Sequence, residues 1–405
     1  MTGIASASPA PRSDPLSAAG LAALSLANAG LWAALFGPIE LLLAQHSSLL
    51  APDGKVAVLG MVSAAGGAAA MLTNPIFGAL SDRTRSRFGR RRPWVALGAL
   101  AGAGSLLLLS GAQSVAMLTL GWCLVQTSLN AMMTALVATI ADRVPVAERG
   151  AAGAWFAFAQ ALGIVGGVAL AHATAPDLGA GYRSCAALLL VCALPFLLIE
   201  DPGPTPLPAP PTATAHPPAG TADMVWAWLT RFCFNLISAL ALLYLLYYLG
   251  DAIHRPAPDG DVLLLTALHI AAMVIVLVPA GLASDRIARR KPFVLAASAS
   301  MAIGMTLLAV QPAWGLVITG VAFAGIGFGL YSAVDVAIVT EVIPEATESA
   351  RDLGIFNIAN ALPQVAAPAL AAALIAFAGY GALYGAGALL ALVAAATVLR
   401  IRAVG

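Results

Sequence analysis

Three ionisable residues lie inside long apolar stretches of this 405-residue sequence: Glu40, Arg231 and Asp335. A charge inside the hydrocarbon of a lipid bilayer is costly, so it persists mainly where a function requires it. Arg231 and Asp335 each lie about six residues from the end of their stretch, which is on the order of 9 Å along a helix. These three residues are therefore the first candidates for a functional site.

Uncharged polar residues recur at helical spacing in several of the same stretches. Ser25, Asn28 and Trp32 share one helix face because they are three and four residues apart. Such a face must point at protein or water rather than lipid, and hydrogen bonding between helices is the alternative to a cavity. The predicted cavity residues, with Gln160 of the fifth stretch included, are Asn28, Trp32, Gln126, Asn130, Gln160, Arg231, Asn235, Tyr331, Asp335, Asn357 and Asn360. His269 is interpreted as a core residue rather than a proton shuttle.

The elements that position these residues are predicted to be membrane helices. The chain is 60% hydrophobic and 10% charged, whereas a soluble domain carries about 25% charged residues. Crossing the hydrocarbon takes about 20 apolar residues. Twelve stretches qualify: Leu16–Gln45, Val56–Leu80, Trp94–Ala112, Val115–Ala141, Gly150–Ala173, Tyr182–Ile199, Val225–Leu249, Val262–Ala283, Phe293–Val310, Ala313–Thr340, Leu353–Ala378 and Gly381–Arg400.

Basic residues predict the orientation of these helices. With the N-terminus inside, sixteen of the twenty Lys and Arg residues fall in cytoplasmic loops and tails. Lys55, Arg183 and Arg255 fall outside, and Arg231 lies within a stretch. Because cytoplasmic loops are enriched in Lys and Arg, both termini are predicted to be cytoplasmic. The chain is thus predicted to be a multi-pass protein of the cytoplasmic membrane.

The sequence also repeats itself with a period of about 200 residues, so two tandem halves are expected. GALSDRTRSRFGRRRPW begins at Gly78, and its shorter copy GLASDRIARRKPF begins at Gly281. Six predicted helices separate the copies, so both halves face the same way. The predicted parts are a tail (1–15), a first bundle (16–199), a Pro-rich linker (200–224), a second bundle (225–400) and a short tail (401–405).

These motifs resemble those of major facilitator superfamily transporters. The GALSDR core resembles the loop motif of that superfamily, and the segment Asn74–Trp94 resembles the glycoside and sucrose-type cation symporters. The resemblance implies an all-α membrane protein of 12 transmembrane helices in two six-helix bundles. It also implies a central cavity lined by helices one, four, seven and ten, in which a small solute binds during alternating access.

The resemblance implies a further role for the charged loops. Contacts among them would hold the halves together when the cavity opens outward. The predicted residues of this cytoplasmic gate are Asp82, Arg83, Arg90, Asp142, Arg149, Asp285, Arg286, Glu341 and Arg351. The alternative is that the Arg residues act only as a topology signal that binds anionic lipid headgroups.

Within the implied cavity, Arg231 and Asp335 would lie at equal depth and form a pair. Asp335 would carry or sense a coupling proton and Arg231 would be released on protonation, whereas the alternative is a static structural pair. Glu40 is either a further coupling acid or an interfacial residue that reaches water. The second and fourth stretches contain no acid before Asp142, so protons are favoured over sodium as the coupling ion.

The leading hypothesis is therefore proton-coupled transport of a small organic solute, with sugar or glycoside chemistry implied by the resemblance. Proton-driven efflux of a drug or secondary metabolite is the alternative, and a membrane receptor without transport is a third class. The sequence contains no HExxH, GxSxG or Walker pattern, so we expect no catalytic residues, no enzyme activity and no cofactor or metal. We also expect a monomer that binds no nucleic acid.

Overall fold

The computed structural model describes residues 16–145, 148–199, 221–287, 289–310, 313–342 and 349–402. Side chains are described for these residues except 221, 340 and 349–357. All regular secondary structure in these residues is helical, and they contain no β-strand. The predicted N-terminal tail and nearly all of the predicted linker therefore lie outside the described residues.

The helices are long enough to cross a bilayer. Eleven helical stretches of the described chain meet the length and apolarity required. The last of these stretches contains two crossings, which brings the total to twelve. In chain order the helices are α1 (Ala18–Leu50), α2 (Lys55–Arg83), α3 (Arg92–Ser110), α4 (Val115–Arg143), α5 (Arg149–Ala173), α6 (Leu178–Leu198), α7 (Thr221–Leu242), α8 (Pro258–Ile287), α9 (Lys291–Ala309), α10 (Trp314–Val342), α11 (349–377) and α12 (380–400).

The chain reverses direction between α11 and α12. Arg231 Nε donates to Asn360 Oδ1 at 2.8 Å, and the hydroxyls of Thr230 and Thr397 lie 2.8 Å apart. Both contacts are made by adjacent residues of α7, so the chain between residues 360 and 397 must leave α7 and return to the same level of it. The turn is at Gly379, whose φ of 74° lies in the left-handed region that glycine adopts without strain. The prediction of twelve helices is confirmed.

Two π-helical turns, one inside α1 and one after α7, were not predicted from the sequence. In α1 the turn spans Pro38–Leu42, and the N–H of Leu43 donates to the carbonyl of Pro38. The ring of a helical proline clashes with the carbonyl four residues earlier, which favours a wider turn. The helix then continues to Leu50, beyond the predicted end at Gln45.

The other π-helical turn, Tyr248–Ala252, follows the end of α7. The regular part of α7 ends at Leu242, before the predicted end at Leu249, and Tyr244 departs from helical geometry. Because α1 and α7 each open one half of the repeat, the two wide turns fall on equivalent helices. One turn holds Glu40 and the other holds Asp251.

Each half forms one six-helix bundle. In the first, α1 packs against α5 and α6, and α4 packs against α2 and α3. In the second, α10 packs against α8 and α9. The bundles meet along two seams, α2 with α11 and α5 with α8. The space between these seams lies at the centre of the molecule.

Close helix packing explains the glycine run Gly325–Gly329 in α10. A Cβ atom at Gly325 would lie 2.5 Å from the carbonyl oxygen of His269, and one at Gly329 would lie 2.5 Å from that of Met273. Real Cβ atoms do not approach so closely, so α10 reaches the backbone of α8 only with glycine here.

Candidate functional site

A cavity of about 360 Å³ lies between the two bundles. Side chains from both halves form its wall. The wall comprises Trp32, Leu35, Phe36, Ile39, Glu40, Ser63, Gly67, Gln126, Asn130, Met133, Gln160, Ile164, Asn235, Ser238, Ala239, Leu242, Leu243, His269, Ile270, Met273, Phe328, Asn360, Pro363, Gln364 and Pro368. Six of the predicted cavity residues therefore line it: Trp32, Gln126, Asn130, Gln160, Asn235 and Asn360.

Asn28 positions one of these residues and does not itself reach the cavity. Its Nδ2 donates to the backbone carbonyl of Phe156 at 2.8 Å, which joins α1 to α5. Its Oδ1 accepts from Nε1 of Trp32 at 3.0 Å. The Asn28 side chain is fully buried behind the indole. Trp32 is thus held against the wall with its only polar atom satisfied.

Two amides of α4 form a second part of the wall. Asn130 Nδ2 donates to the backbone carbonyl of Gln126 at 2.8 Å. One helical turn further on, Thr134 donates to Oδ1 of Asn74 at 2.8 Å and so joins α4 to α2. The spacing of these residues predicted the face that they share. It did not indicate that Thr134 bonds α2 rather than lining the cavity.

The second half contributes a buried polar network next to the cavity. Arg231 Nη2 lies 3.1 Å from Asp335 Oδ2, and each side chain is 16% exposed. Asn360 Oδ1 accepts from both Arg231 Nε, at 2.8 Å, and Asn235 Nδ2, at 3.1 Å. Tyr331 donates its hydroxyl proton to Asp335. Arg231 and Asp335 therefore touch the cavity wall through Asn360 and are not on the wall themselves.

Aromatic packing fixes the position of this network. The rings of Tyr331 and Phe234 stack with centroids 4.0 Å apart, which joins α10 to α7. The side chain of Asn357, the remaining predicted cavity residue, lies outside the described side chains. Gln364, which shares the polar face of Asn357 and Asn360 in the sequence, is also on the wall, and so are His269 and Ser63, which were not predicted there.

Glu40 lies on the cavity wall within the π-helical turn of α1. The residue is 5% exposed, and its Oε2 accepts no hydrogen bond within the described residues. Two other atoms of wall residues, Ser63 Oγ and His269 Nδ1, are likewise without a hydrogen-bond partner within the described residues. The wall therefore presents several buried polar atoms that no described protein group satisfies.

One face of the molecule is closed by contacts between the halves, and we call it the Lys55 face. Lys55 Nζ lies 2.7 Å from Asp251 Oδ1, and the hydroxyl of Tyr380 donates to Asp251 Oδ2 at 2.9 Å. The hydroxyl of Tyr247 donates to the backbone carbonyl of Ala44 at 2.6 Å. Sequence reasoning missed these contacts because Lys55, the first residue of α2, and Asp251, in the π-helical turn after α7, share no motif.

The opposite face holds the Arg-rich loops, and we call it the basic face. There Arg91 joins Asp82, at 2.9 Å, to Asp142, at 2.7 Å. Burial lowers the pKa of Arg91, but the hydrogen bonds and charges of Asp142 and Asp82 outweigh that effect and leave the pKa raised. This triad lies entirely within the first half.

An equivalent triad lies in the second half. Arg290 joins Asp285, at 2.7 Å, to Glu341, at 3.3 Å. Arg91 and Arg290 occupy matching positions of the repeat, yet neither is among the predicted gate residues. Within the described residues, every polar side-chain contact that crosses between the halves is on the Lys55 face, and the triads do not cross.

The other predicted gate residues are arranged differently. Arg90 donates to the backbone carbonyl of Asp82 at 2.6 Å and also lies 3.5 Å from Oδ1 of Asp82. Arg149 donates to the carbonyl of Ala141 at 2.8 Å, at the end of α4. Arg83 and Arg286 are exposed, and the Arg351 side chain lies outside the described side chains.

The described residues contain no cluster of three His, Cys, Asp or Glu side chains suited to a metal ion.

Comparison with protein families gives one match that covers nearly the whole chain. The family described as Major Facilitator Superfamily matches residues 16–254 and again residues 224–404. No curated protein matches the chain in sequence. The double match agrees with the internal repeat of about 200 residues.

Several solved structures share the fold. A POT family transporter bound to a thioalcohol-conjugated peptide has a TM-score of 0.74 at 12% identity, covering 94% of this chain and 95% of that one. A mutant of the nucleoside transporter NupG has a TM-score of 0.72 at 13% identity, covering 95% and 99%. The human organic anion transporter MFSD10 has a TM-score of 0.64 at 16% identity, covering 94% and 98%. Identities this low show the fold alone.

Proposed function

The chain belongs to the major facilitator superfamily, and we propose that it is a proton-coupled secondary active transporter of the cytoplasmic membrane. In this proposal a small hydroxylated solute, of the sugar or glycoside type, crosses by alternating access. The carrying observation is the central cavity, which both halves line and which contacts on the Lys55 face close from one side. Such a cavity is accessible from one side at a time if the halves tilt against each other.

The wall supports a solute with hydroxyl groups. Gln126, Asn130 and Gln160 of the first half face Asn235 and Asn360 of the second. An amide side chain both donates and accepts hydrogen bonds, so it suits hydroxyls in either orientation. The ring of Trp32 offers an apolar surface on which the carbon face of a sugar ring can pack. The sugar class itself comes from the resemblance of Asn74–Trp94 to sugar-cation symporters.

Coupling to protons is proposed to occur at Asp335. When Asp335 is ionised, it holds Arg231, and Arg231 in turn holds Asn360 on the cavity wall. A proton on Asp335 would remove the ion pair and free Arg231 to release Asn360. Protonation and solute binding would then influence each other through one shared side chain.

The basic face is proposed to be cytoplasmic, because cytoplasmic loops of membrane proteins are enriched in Lys and Arg. Closure of the Lys55 face then makes this an inward-facing arrangement. In the outward-facing arrangement, the Lys55–Asp251 contact would break and the two Arg triads would approach each other across the basic face. The gate roles of Asp82, Asp142, Asp285 and Glu341 are part of this proposal.

Proteoliposomes loaded with the pH-sensitive dye pyranine test the proposal directly. Neutral sugars and glycosides are added one by one, with and without an imposed pH gradient of either direction. At least one solute should change the internal pH, and the change should vanish in empty liposomes and in Asp335→Asn. Absence of any solute-dependent proton movement, with labelled solutes also failing to enter, would contradict proton-coupled transport.

Efflux of an amphipathic metabolite or drug is the second candidate. The apolar part of the wall favours it, since Phe36, Met133, Met273 and Phe328 offer flexible sulfur and aromatic contacts. The two candidates differ in the sign of coupling. Uptake by symport moves protons and solute in the same direction, whereas efflux by exchange moves them in opposite directions. The pyranine signal distinguishes these outcomes.

A further inference from the structure

Glu40 is the only acidic residue of the cavity wall, as the described residues define it, and the wall contains no Lys or Arg. Glu40 is 95% buried, with a relative exposure of 5%, and its Oε2 accepts no hydrogen bond from a described group. An ionised carboxylate in such a place is strongly unfavourable unless a positive charge or a proton compensates it.

Two helices that form the wall carry a basic residue that already has a partner, Lys55 on α2 and Arg231 on α7. Arg231 pairs with Asp335 at 3.1 Å, and Lys55 pairs with Asp251 at 2.7 Å. Neither Arg231 nor Lys55 is on the cavity wall. Apart from a proton, the compensating charge for Glu40 can therefore come from a cation that enters the cavity.

Aromatic rings accompany Glu40 on the same wall. The rings of Trp32 and Phe36 lie 5.4 Å apart, centroid to centroid, on the helix that carries Glu40. Phe328 contributes a third ring from the second half. Faces of aromatic rings attract cations, and ammonium groups are commonly bound by rings together with a carboxylate. A site for a solute that has only hydroxyl groups would need the amides but not a carboxylate beside aromatic rings.

We propose that the transported solute carries one ammonium group, and that Glu40 is the specificity-determining residue that binds it. This inference rests on the proposed function, because it takes the cavity to be the solute site. Unused acceptors elsewhere on the wall fit the same group, since Ser63 Oγ and His269 Nδ1 can accept N–H hydrogen bonds. The amides of Gln126, Asn130 and Asn235 remain available for hydroxyls elsewhere on the solute.

Matched ligand pairs test this inference in purified full-length protein. Each pair differs in the ammonium group: choline against 3,3-dimethylbutan-1-ol, 2-phenylethylamine against 2-phenylethanol, and glucosamine against glucose. Binding is measured as the concentration-dependent rise in melting temperature. In the wild type, the cationic member of at least one pair should bind at least tenfold more tightly than the neutral member.

Two variants locate the effect at Glu40. Glu40→Gln keeps the shape and removes the charge, so it should abolish the cationic preference. Glu40→Asp keeps the charge and should retain the preference, and this variant keeps the test valid if Glu40→Gln unfolds. Equal binding of both members, persistence of the preference in a folded Glu40→Gln, or loss of it in a folded Glu40→Asp would overturn the inference. So would failure of every cationic member to bind the wild type.

The result of the matched-ligand experiment can be distinguished from the result of the pyranine experiment that tests the proposed function. A wild type that shows proton movement with neutral sugars in the pyranine experiment, but no cationic preference, would keep the transport proposal and refute the ammonium inference. A wild type that binds the cationic members through Glu40 but moves no solute would refute transport and keep Glu40 as an ammonium site.

Discussion

The buried pair of Arg231 and Asp335 offers the sharpest test at the scale of single residues. Asp335→Asn should abolish accumulation driven by a pH gradient while solute exchange without a gradient continues, because the titratable group is lost and the cavity wall is retained. Both rates are measured in proteoliposomes with the solute found by the screen. Asp335→Glu, which keeps the acid, should retain at least part of the accumulation.

Stability provides the control for this substitution. Removing one partner of a buried ion pair leaves the other charge uncompensated and costs about 3–5 kcal/mol. The melting temperature of Asp335→Asn should therefore fall, and that of the double variant Arg231→Gln with Asp335→Asn should recover. Normal accumulation in a folded Asp335→Asn would contradict the coupling role. The Arg231–Asp335 pair would then have only a structural role.

Sequence reasoning reached some of these residues and missed others for identifiable reasons. Helical spacing and the cost of charge in lipid were sufficient to single out Asp335, Arg231 and Glu40. Spacing could not tell that Asn28 turns toward Phe156 and supports Trp32, because both orientations satisfy the same periodicity. The cross-half pair of Lys55 with Asp251 has no local signal at all.

Helix packing at the scale of elements depends on the glycines of α10. Gly325→Ala should destabilise the protein, because the new Cβ would lie 2.5 Å from the carbonyl oxygen of His269. Overpacking of this kind costs about 1–3 kcal/mol. Gly166→Ala is the matched control, since no atom lies within 4 Å of a Cβ there. Melting temperatures in detergent should fall for the first variant and stay constant or rise for the second.

Equal melting temperatures for the two variants would show that α8 and α10 can separate without cost.

The twelve helices themselves were predictable, because apolar length and loop charge are read directly from the sequence. The π-helical turns at Pro38–Leu42 and Tyr248–Ala252 were not. A proline next to a glycine predicts a kink, but the type of turn depends on how the neighbouring helices pack.

Contacts between the halves decide the arrangement of the whole molecule. The internal repeat predicted two bundles of the same orientation, but a sequence contains nothing that says which face is closed. The polar contacts that cross between the described parts of the two halves all lie on the Lys55 face, whereas the Arg91 and Arg290 triads stay within their own halves. The described arrangement is therefore one of at least two that the same sequence must support if it transports.

Weakening the Lys55 face should shift the balance between these arrangements. Lys55→Met removes the contact with Asp251 but keeps the length of the side chain. A partly exposed pair contributes at most about 1 kcal/mol, so the ratio of the two populations should change by up to about fivefold. Arg183→Gln is the matched control, because Arg183 pairs with Asp177 on the surface of a single half.

Distances between spin labels on the two faces test the tilting of the halves most directly. One label pair spans the basic face, on Arg83→Cys and Arg286→Cys, and the other spans the Lys55 face, on Asp53→Cys and Ala257→Cys, with the four natural cysteines replaced by alanine. Lys55→Met should lengthen the second distance and shorten the first in the same fraction of molecules, while Arg183→Gln leaves both unchanged. Alternating access by two tilting bundles would be contradicted if both distances stayed constant in Lys55→Met and at every pH and solute concentration. It would also be contradicted if the two distances changed in the same direction.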